Sequence, residues 1–162
     1  MIEFEGAGFS YGAREVLRPI TMTLEAGSLH FLTGRSGAGK TTLLKLIYLA
    51  LTPTTGAVKL FGAQATQTRA RDAAALRRRM GLVLQDNDLL DHMTLFDNIA
   101  LPLRVLGHDV AARRADVEDL ARWVGLSDRL DAYPRELSTG ERQRASVARA
   151  VVTAPPLVIA DE

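Results

Sequence analysis

The eight residues "GRSGAGKT", Gly34 to Thr41, decide how the rest of this 162-residue chain is read. They satisfy G-x-x-x-x-G-K-[ST] without a mismatch, a pattern that average residue frequencies produce by accident in roughly one chain of this length in a few hundred. The setting sharpens the signal. The apolar run "LHFLTG" (residues 29–34) reads as a strand leading into the loop, and from Thr41 to Leu51 the residues Leu43, Leu44, Leu46, Ile47, Leu49 and Ala50 cover most of a helix, which "TPTTG" then stops. Strand, loop and helix is the order in which backbone amides can wrap an anion. Glycines at 34, 37 and 39 let N–H groups curl around phosphate oxygens, and the helix start adds donors and a favourable dipole. Lys40 supplies a point charge for the outer phosphates, and the Thr41 hydroxyl is placed to ligate magnesium. Arg35, Ser36, Ala38 and Thr42 complete the candidate phosphate-contacting set. A glycine-rich turn that only caps a helix needs neither lysine nor threonine at these places.

Outward from the loop, strand and helix signals alternate. "MIEFEGAGFSYG" (1–12) and "LRPITMTLE" (17–25) alternate apolar and polar residues as half-buried antiparallel strands do. "LHFLTG" and "LVIAD" (157–161) are more continuously apolar and suit a sheet covered on both faces. "GAVKLFG" (56–62) reads as a strand, "RDAAALRRR" (71–79) as a short helix and "MGLVLQ" (80–85) as a buried strand. "TLFDNIALPLRVLG" (94–107) and "VAARRADVEDLARWVG" (110–125) read as helices, and a last helix runs from near Ser138 to Val152. The pattern is α/β with an inserted helical block: one domain over 1–162, with a core of 1–84 and 150–162 and a helical part over 85–149.

The totals bound the possibilities. With 47% apolar residues the chain can build one globular domain, and a formal net charge of +1 gives no basic field for nucleic acid, which is not expected as a partner. The arginines Arg77 to Arg79 and Arg113 with Arg114 read as solvated helix faces. The absence of cysteine excludes disulfides, thiolate metal sites and a cysteine nucleophile. "LLKLIYLAL" (43–51) carries Lys45 and is too short to span a bilayer, while "MIEFEG" at the N-terminus is no secretion signal. The expected location is the cytoplasm, with any membrane role peripheral.

Two further stretches carry chemistry. In phosphate-loop nucleotide hydrolases a second apolar strand ends in an aspartate that holds magnesium through water, and "LVIAD" supplies it as Asp161; Glu162 would polarise the attacking water. Standing alone, the same stretch is a strand that meets solvent with two acids. "LSTGERQR" (137–144) contains Ser138 and Glu141 as S-x-x-E, a capping box that any helix can use. A helix start with a serine hydroxyl and Gly140 is also an anion site, so the two readings are compatible.

In this order the motifs resemble those of the nucleotide-binding subunits of ATP-binding cassette (ABC) systems: Tyr11 in the first hairpin, the loop 34–41, Gln85 ending a strand, the signature 137–141, and the acids 161 and 162. The resemblance implies ATP and Mg2+ as cofactors and a homodimer of two subunits bound head to tail. Each ATP would lie between the phosphate loop of one subunit and Ser138 and Gly140 of the other. It implies that Tyr11 stacks on adenine, although alone the residue reads equally as a core aromatic, and that Gln85 reaches magnesium and the attacking water. "FLTGRSGAGKTTLLKLI" (31–47) and "QDNDLLDHMTLFDNIALPL" (85–103) look like the matching segments of the FtsE group of cell-division ATPases, with lipoprotein-release ATPases nearby. That likeness implies an integral membrane partner resembling FtsX, gripped around residues 86–106, and a place on the inner face of the cell membrane.

Two departures from the family pattern stand out. Thr139 occupies a position where the signature usually has glycine. The family also continues past the glutamate to a histidine that holds the terminal phosphate, whereas His30, His92 and His108 all lie upstream; His30 reads as a strand residue and the other two as solvated. The expectation is a C-terminally truncated cassette, a fragment with weak or absent turnover. Other readings stay open. These are a lipoprotein-release or solute transporter ATPase, a soluble ABC protein acting on nucleic acid or ribosomes, and a nucleotide-binding module without hydrolysis. A small-metabolite kinase would share the loop but needs no signature helix, and no interval of about 120 residues between Lys40 and Asp161.

Overall fold

The alternation at the N-terminus folds as a hairpin. In the computed structural model, which describes residues 2–65, 69–84 and 89–161, β1 (Ile2–Tyr11) pairs antiparallel with β2 (Arg14–Leu24). On its other side β1 pairs antiparallel with β3 (Thr55–Leu60), and β3 turns back into the short β4 (Ala63–Gln64), giving the order β2-β1-β3-β4. Ile2 and Phe4 face Leu60 and Val58 across the ladder, and all four are buried. Beyond Phe4 the period-2 pattern slips. A bulge shifts the register between Phe4 and Ala7, where the Gly6 N–H donates to Thr21 Oγ1 (2.9 Å), and Ala7 and Phe9 carry the apolar face onward.

Helix α1 (Lys40–Ile47) packs on β2 and β3 and buries Leu43, Leu46 and Ile47. It stops four residues short of the expected Leu51 because Leu49 turns left-handed (φ 59°) and the Ala50 N–H reaches back to the Lys45 carbonyl (2.9 Å). Helix α2 (Ala70–Arg77) follows, and Arg77 donates to the Leu49 carbonyl (3.1 Å), one of the acceptors the end of α1 leaves over. These elements form one compact unit, Met1–Arg77.

The run 29–34 departs from expectation: it is not a strand. It pairs with no ladder among the described residues, with Leu29 80% and Phe31 84% exposed. An apolar run states what a segment can bury, but a strand also needs a neighbour's backbone groups, and the four-stranded sheet of this unit does not take the run in. His30 accordingly lies outside any strand, its Nε2 2.7 Å from Ser28 Oγ.

Among its described residues, the second unit, Arg78–Glu162, holds a parallel strand pair, three α-helices and two short 3-10 turns. β5 (Met80–Val83) and β6 (Leu157–Ala160) run in register from Met80 opposite Leu157 to Val83 opposite Ala160. β6 buries Ile159, yet Val158 is 49% exposed, so this strand is covered on one face and not on the two that its composition suggests. Helices α3 (Leu95–Val105), α4 (Arg114–Trp123) and α5 (Thr139–Val151) close over Leu95, Ile99, Leu103, Val117, Ala121, Ala145 and Ala148. Asn98 is fully buried inside this apolar cluster with its amide satisfied. Its Oδ1 accepts from the Leu90 N–H (2.7 Å), and its Nδ2 is shared among the carbonyls of Leu90, Met93 and Thr94 at 3.0–3.2 Å. The turn before α3 is thereby stitched to the helix. The arginines at 113 and 114 are surface groups as expected: Arg113 pairs with Asp116, while Arg114 pairs with Glu118 (2.7 Å) and lies over the Phe96 ring.

Helix α5 crosses β5 at a point with no room for a side chain. A Cβ added to Gly81 would sit 2.2 Å from the Ala150 carbonyl oxygen and 3.0 Å from Pro155 Cγ. Gly81→Ala is therefore expected to lower the unfolding free energy by about 3 kcal/mol, the upper range for forcing atoms into a packed site. Urea denaturation measures it, and a change under about 0.5 kcal/mol would contradict the close crossing.

Candidate functional site

The loop between Gly34 and Lys40 is built to leave amides available. Gly37 (φ 78°) and Gly39 (φ 93°) take left-handed backbone, and a Cβ on Gly39 would stand 3.0 Å from the Val16 carbonyl of β2. Gly39 is also the N-cap of α1, so the helix starts with no side-chain cap, and the positive end of its dipole faces the loop. Residues 34–38 are exposed. Lys40 folds across the loop, its Nζ donating to the carbonyls of Gly34 (2.9 Å) and Arg35 (3.2 Å), while the Ala38 N–H closes an inner turn on the Arg35 carbonyl (3.1 Å). Among the described residues the ammonium is held by neutral carbonyls, which it exchanges readily for a charged acceptor, because bonds between two ions are about twice as strong as neutral ones.

Thr41 and Thr42 are adjacent but differ in setting: Thr41 is exposed in the first turn of α1, and Thr42 is buried at 8% exposure. Tyr11 closes β1 with 51% of its surface exposed and its ring edge-on to Phe9 (centroids 4.8 Å apart). The core-aromatic reading of Tyr11 is thereby removed.

The other unit carries the second group of candidates. Ser138 is the N-cap of α5 in a full capping box. Its Oγ accepts from the Glu141 N–H (3.3 Å) and donates to Glu141 Oε2 (2.7 Å), and its backbone N–H donates to the same oxygen (2.8 Å). These bonds, with the nearby Arg129 and Arg144 charges, hold the Glu141 carboxyl below its ordinary value against a smaller opposing effect of burial. Thr139 starts the helix exposed, its hydroxyl accepting from Arg142 Nη2 (3.4 Å). Gly140 has negative φ and open space around it: an added Cβ would meet only Arg144 Nη1, at 3.7 Å. Asp161 ends β6, its N–H extending the ladder to the Val83 carbonyl (2.9 Å). Gln85 and Glu162 lie outside the described residues. His92 and His108 are exposed, as expected.

The comparison with known proteins now has a geometry to explain. The model of the ABC transporter family matches residues 17–162. The chain belongs to this family of ATP-hydrolysing cassettes. It is 41% identical over its whole length to the cell division ATP-binding protein FtsE of Escherichia coli K12, covering 73% of that protein. It is also 42% identical, over 93% of its length, to the methionine import ATP-binding protein MetN 2 of Paraburkholderia xenovorans, covering 39% of it. A dimeric structure of the bacterial ABC transporter cassette MJ0796 superposes with a TM-score of 0.92 at 26% identity, covering 100% of this chain and 74% of that one. A post-hydrolysis dimer of MJ0796 bound to ADP and Pi gives a TM-score of 0.90 at 25% identity. The cassette fold is thus the fold of this chain.

Sequence reasoning passed over Arg129 and Asn98. Arg129 lies twelve positions before the carboxylate it pairs with, Glu141, and so belongs to no local motif. Asn98 sits in an apolar helix with no spacing rule to mark it, and only its burial reveals it.

The two small residues at the start of α5 should separate in solution. Ser138→Ala is expected to cost about 1 kcal/mol as a lost helix cap. Gly140→Ala should leave stability unchanged or raise it by up to about 1 kcal/mol, since the position has room and alanine favours helix. Denaturant melts of both variants check the pair, and a large loss at Gly140 would contradict the open space described.

Proposed function

We propose that the chain is the ATP-binding engine of a membrane-associated ABC complex of the FtsE kind. The observation that carries this reading is the uncapped, glycine-started helix α1 with the Lys40 ammonium resting on the loop carbonyls beside it. An oxyanion brought to the loop meets helix N–H donors and a lysine whose present partners are weak. In this reading the backbone of residues 34–42 wraps the β- and γ-phosphates, Lys40 bonds the outer oxygens, and the exposed Tyr11 ring stacks on adenine at about 1–3 kcal/mol by analogy with base stacking. Thr41 offers a hydroxyl and Asp161 a carboxylate, oxygen donors of the kind Mg2+ takes, and each is a candidate ligand, as is Gln85 by resemblance. Magnesium, when bound, supplies neutralising charge for the outer phosphates. Glu162 is the proposed base for the attacking water.

Ser138 and Gly140 act on the nucleotide of a second copy of the chain. The open space at Gly140 supports this, because nothing among the described residues demands glycine there. The likeness to the E. coli cell division protein supports an integral membrane subunit resembling FtsX as the partner, and a place on the inner membrane face. Among the described residues no helix is long and apolar enough to cross a membrane. A second reading, an importer ATPase, has the likeness to the methionine import protein in its favour. The membrane protein that co-purifies with the chain from its own cells separates the two.

Two variants test the reading. Lys40→Ala is expected to weaken Mg-ATP retention by roughly 10- to 100-fold, the range for losing a charged hydrogen-bond donor, while the fold persists. Gly140→Ala is expected to keep wild-type ATP retention yet lose ATP-dependent self-association in sedimentation. Retention unaffected by Lys40→Ala would refute the loop as the site.

A further inference from the structure

Arg129 reaches both ends of the signature segment 137–141 from outside it. Arg129 ends the 3-10 turn Ser127–Arg129, eight positions before Leu137 in sequence. Its Nη2 donates to the carbonyl of Glu136 (2.8 Å), the residue just before the segment, and its Nε faces Glu141 Oε1 (3.4 Å), the last residue of it. The guanidinium therefore spans the segment from end to end. Leu137, buried at 4% exposure, pins the segment to the apolar core, and the Tyr133 N–H holds the Glu136 carboxylate (2.7 Å) so that this side chain does not compete for Arg129.

The consequence lies in the protons. The Ser138 hydroxyl carries one hydrogen, and it is given to Glu141 Oε2. To donate to an incoming anion the hydroxyl has to turn away, which strips one bond from an ionised carboxylate. A carboxylate that loses a donor is less firmly held in place and titrates at a higher pH, and a neighbouring cation opposes both effects. The Arg129 guanidinium already lies against the other oxygen, with Nε 3.4 Å from Oε1. We infer that Arg129 is a positioning residue of the signature: bridging the Glu136 carbonyl and the Glu141 carboxylate, it holds Glu141 in place, so that the Ser138 hydroxyl can swing from Glu141 to the terminal phosphate of an ATP carried by a second copy of this chain. The inference rests on the dimer reading above.

Among the described residues, the charged and titratable groups facing Glu141 are Arg129 from the preceding turn and Arg144 from its own helix, together with the Ser138 hydroxyl and N–H. A carboxyl held below its ordinary value does its work above that value and loses it as pH falls through it. Removing Arg129 takes away a charge that lowers Glu141, so the acid limb of any process needing the carboxylate moves to higher pH.

The test is Mg-ATP-dependent self-association of the full chain by analytical ultracentrifugation, as a function of pH, for wild type, Arg129→Ala, Arg129→Lys and Glu141→Gln. Arg129→Ala is expected to weaken association about fivefold at neutral pH, the size of a typical coupling between sites, and to shift the acid limb upward. Arg129→Lys, which keeps charge but not the fork, is expected to recover part of the loss and most of the limb. Combining Arg129→Ala with Glu141→Gln should add nothing to Glu141→Gln alone. ATP retention, which belongs to the phosphate loop, stays at the wild-type level in each variant and reports that the chain is folded. Unchanged association and an unchanged limb in Arg129→Ala overturn the inference and leave the dimer reading standing. Should Arg129→Ala fail to fold, an unchanged Arg129→Lys overturns it instead. Wild-type chain that does not associate with Mg-ATP overturns both.

Discussion

A phosphate loop has to present backbone amides at the surface of a folded protein, and most of what surrounds residues 34–41 answers that constraint. An unpaired amide is costly when buried and cheap in water, so the loop lies at the surface while the helix behind it is anchored in the core. The anchoring is done by Leu43, Leu46 and Ile47, which α1 buries as it packs on β2 and β3. The hairpin β1–β2 supports more than that helix: its Val16 carbonyl lies where any side chain at Gly39 would go, so sheet and loop constrain each other. Lys40 makes the arrangement stable in the absence of an anion by lending its charge to the loop's own carbonyls.

The two helix starts proposed to meet the nucleotide solve opposite problems. Helix α1 begins at a glycine with no side-chain cap and an ammonium nearby, an arrangement receptive to negative charge. Helix α5 begins with its cap complete, Ser138 and Glu141 satisfying each other and Arg129 and Arg144 balancing the carboxylate. A capped start is stable alone, and engages an anion only by giving up a bond it already has. That difference fits a division of labour in which the first helix holds nucleotide within one subunit and the second responds to nucleotide offered by another.

Much of this was legible in the residues because local rules carried it. The alternation in residues 1–25, the glycine and lysine spacing of the loop, and the S-x-x-E at 138–141 each encode their own geometry, and β1, β2, the left-handed Gly37 and Gly39 and the α5 capping box follow them. Expectation failed where a partner decides the outcome. The run 29–34 has the composition of a buried strand, but ladder bonds come from a neighbour, and among the described residues it has none. Val158 on β6 is exposed for the same kind of reason: apolarity records a capacity for burial that only packing can use. The end of α1 escaped because Leu, a helix former, adopts the left-handed turn at position 49. Arg129 and Asn98 escaped because their roles arise from contacts made across the fold, with no motif around them. At Tyr11 the sequence left two readings level, and its exposure removed one.

The central claim is that the amides from Ser36 to Thr41 receive a triphosphate. Hydrogen exchange of the individual backbone amides, followed with Mg-ATP and separately with Mg-AMP, tests it most directly. The account predicts slowed exchange at Ser36 to Thr41 with ATP and little change there with AMP, which lacks the phosphates the loop would grip. Equal exchange at these amides with and without ATP, at a concentration where binding is saturated, would contradict it.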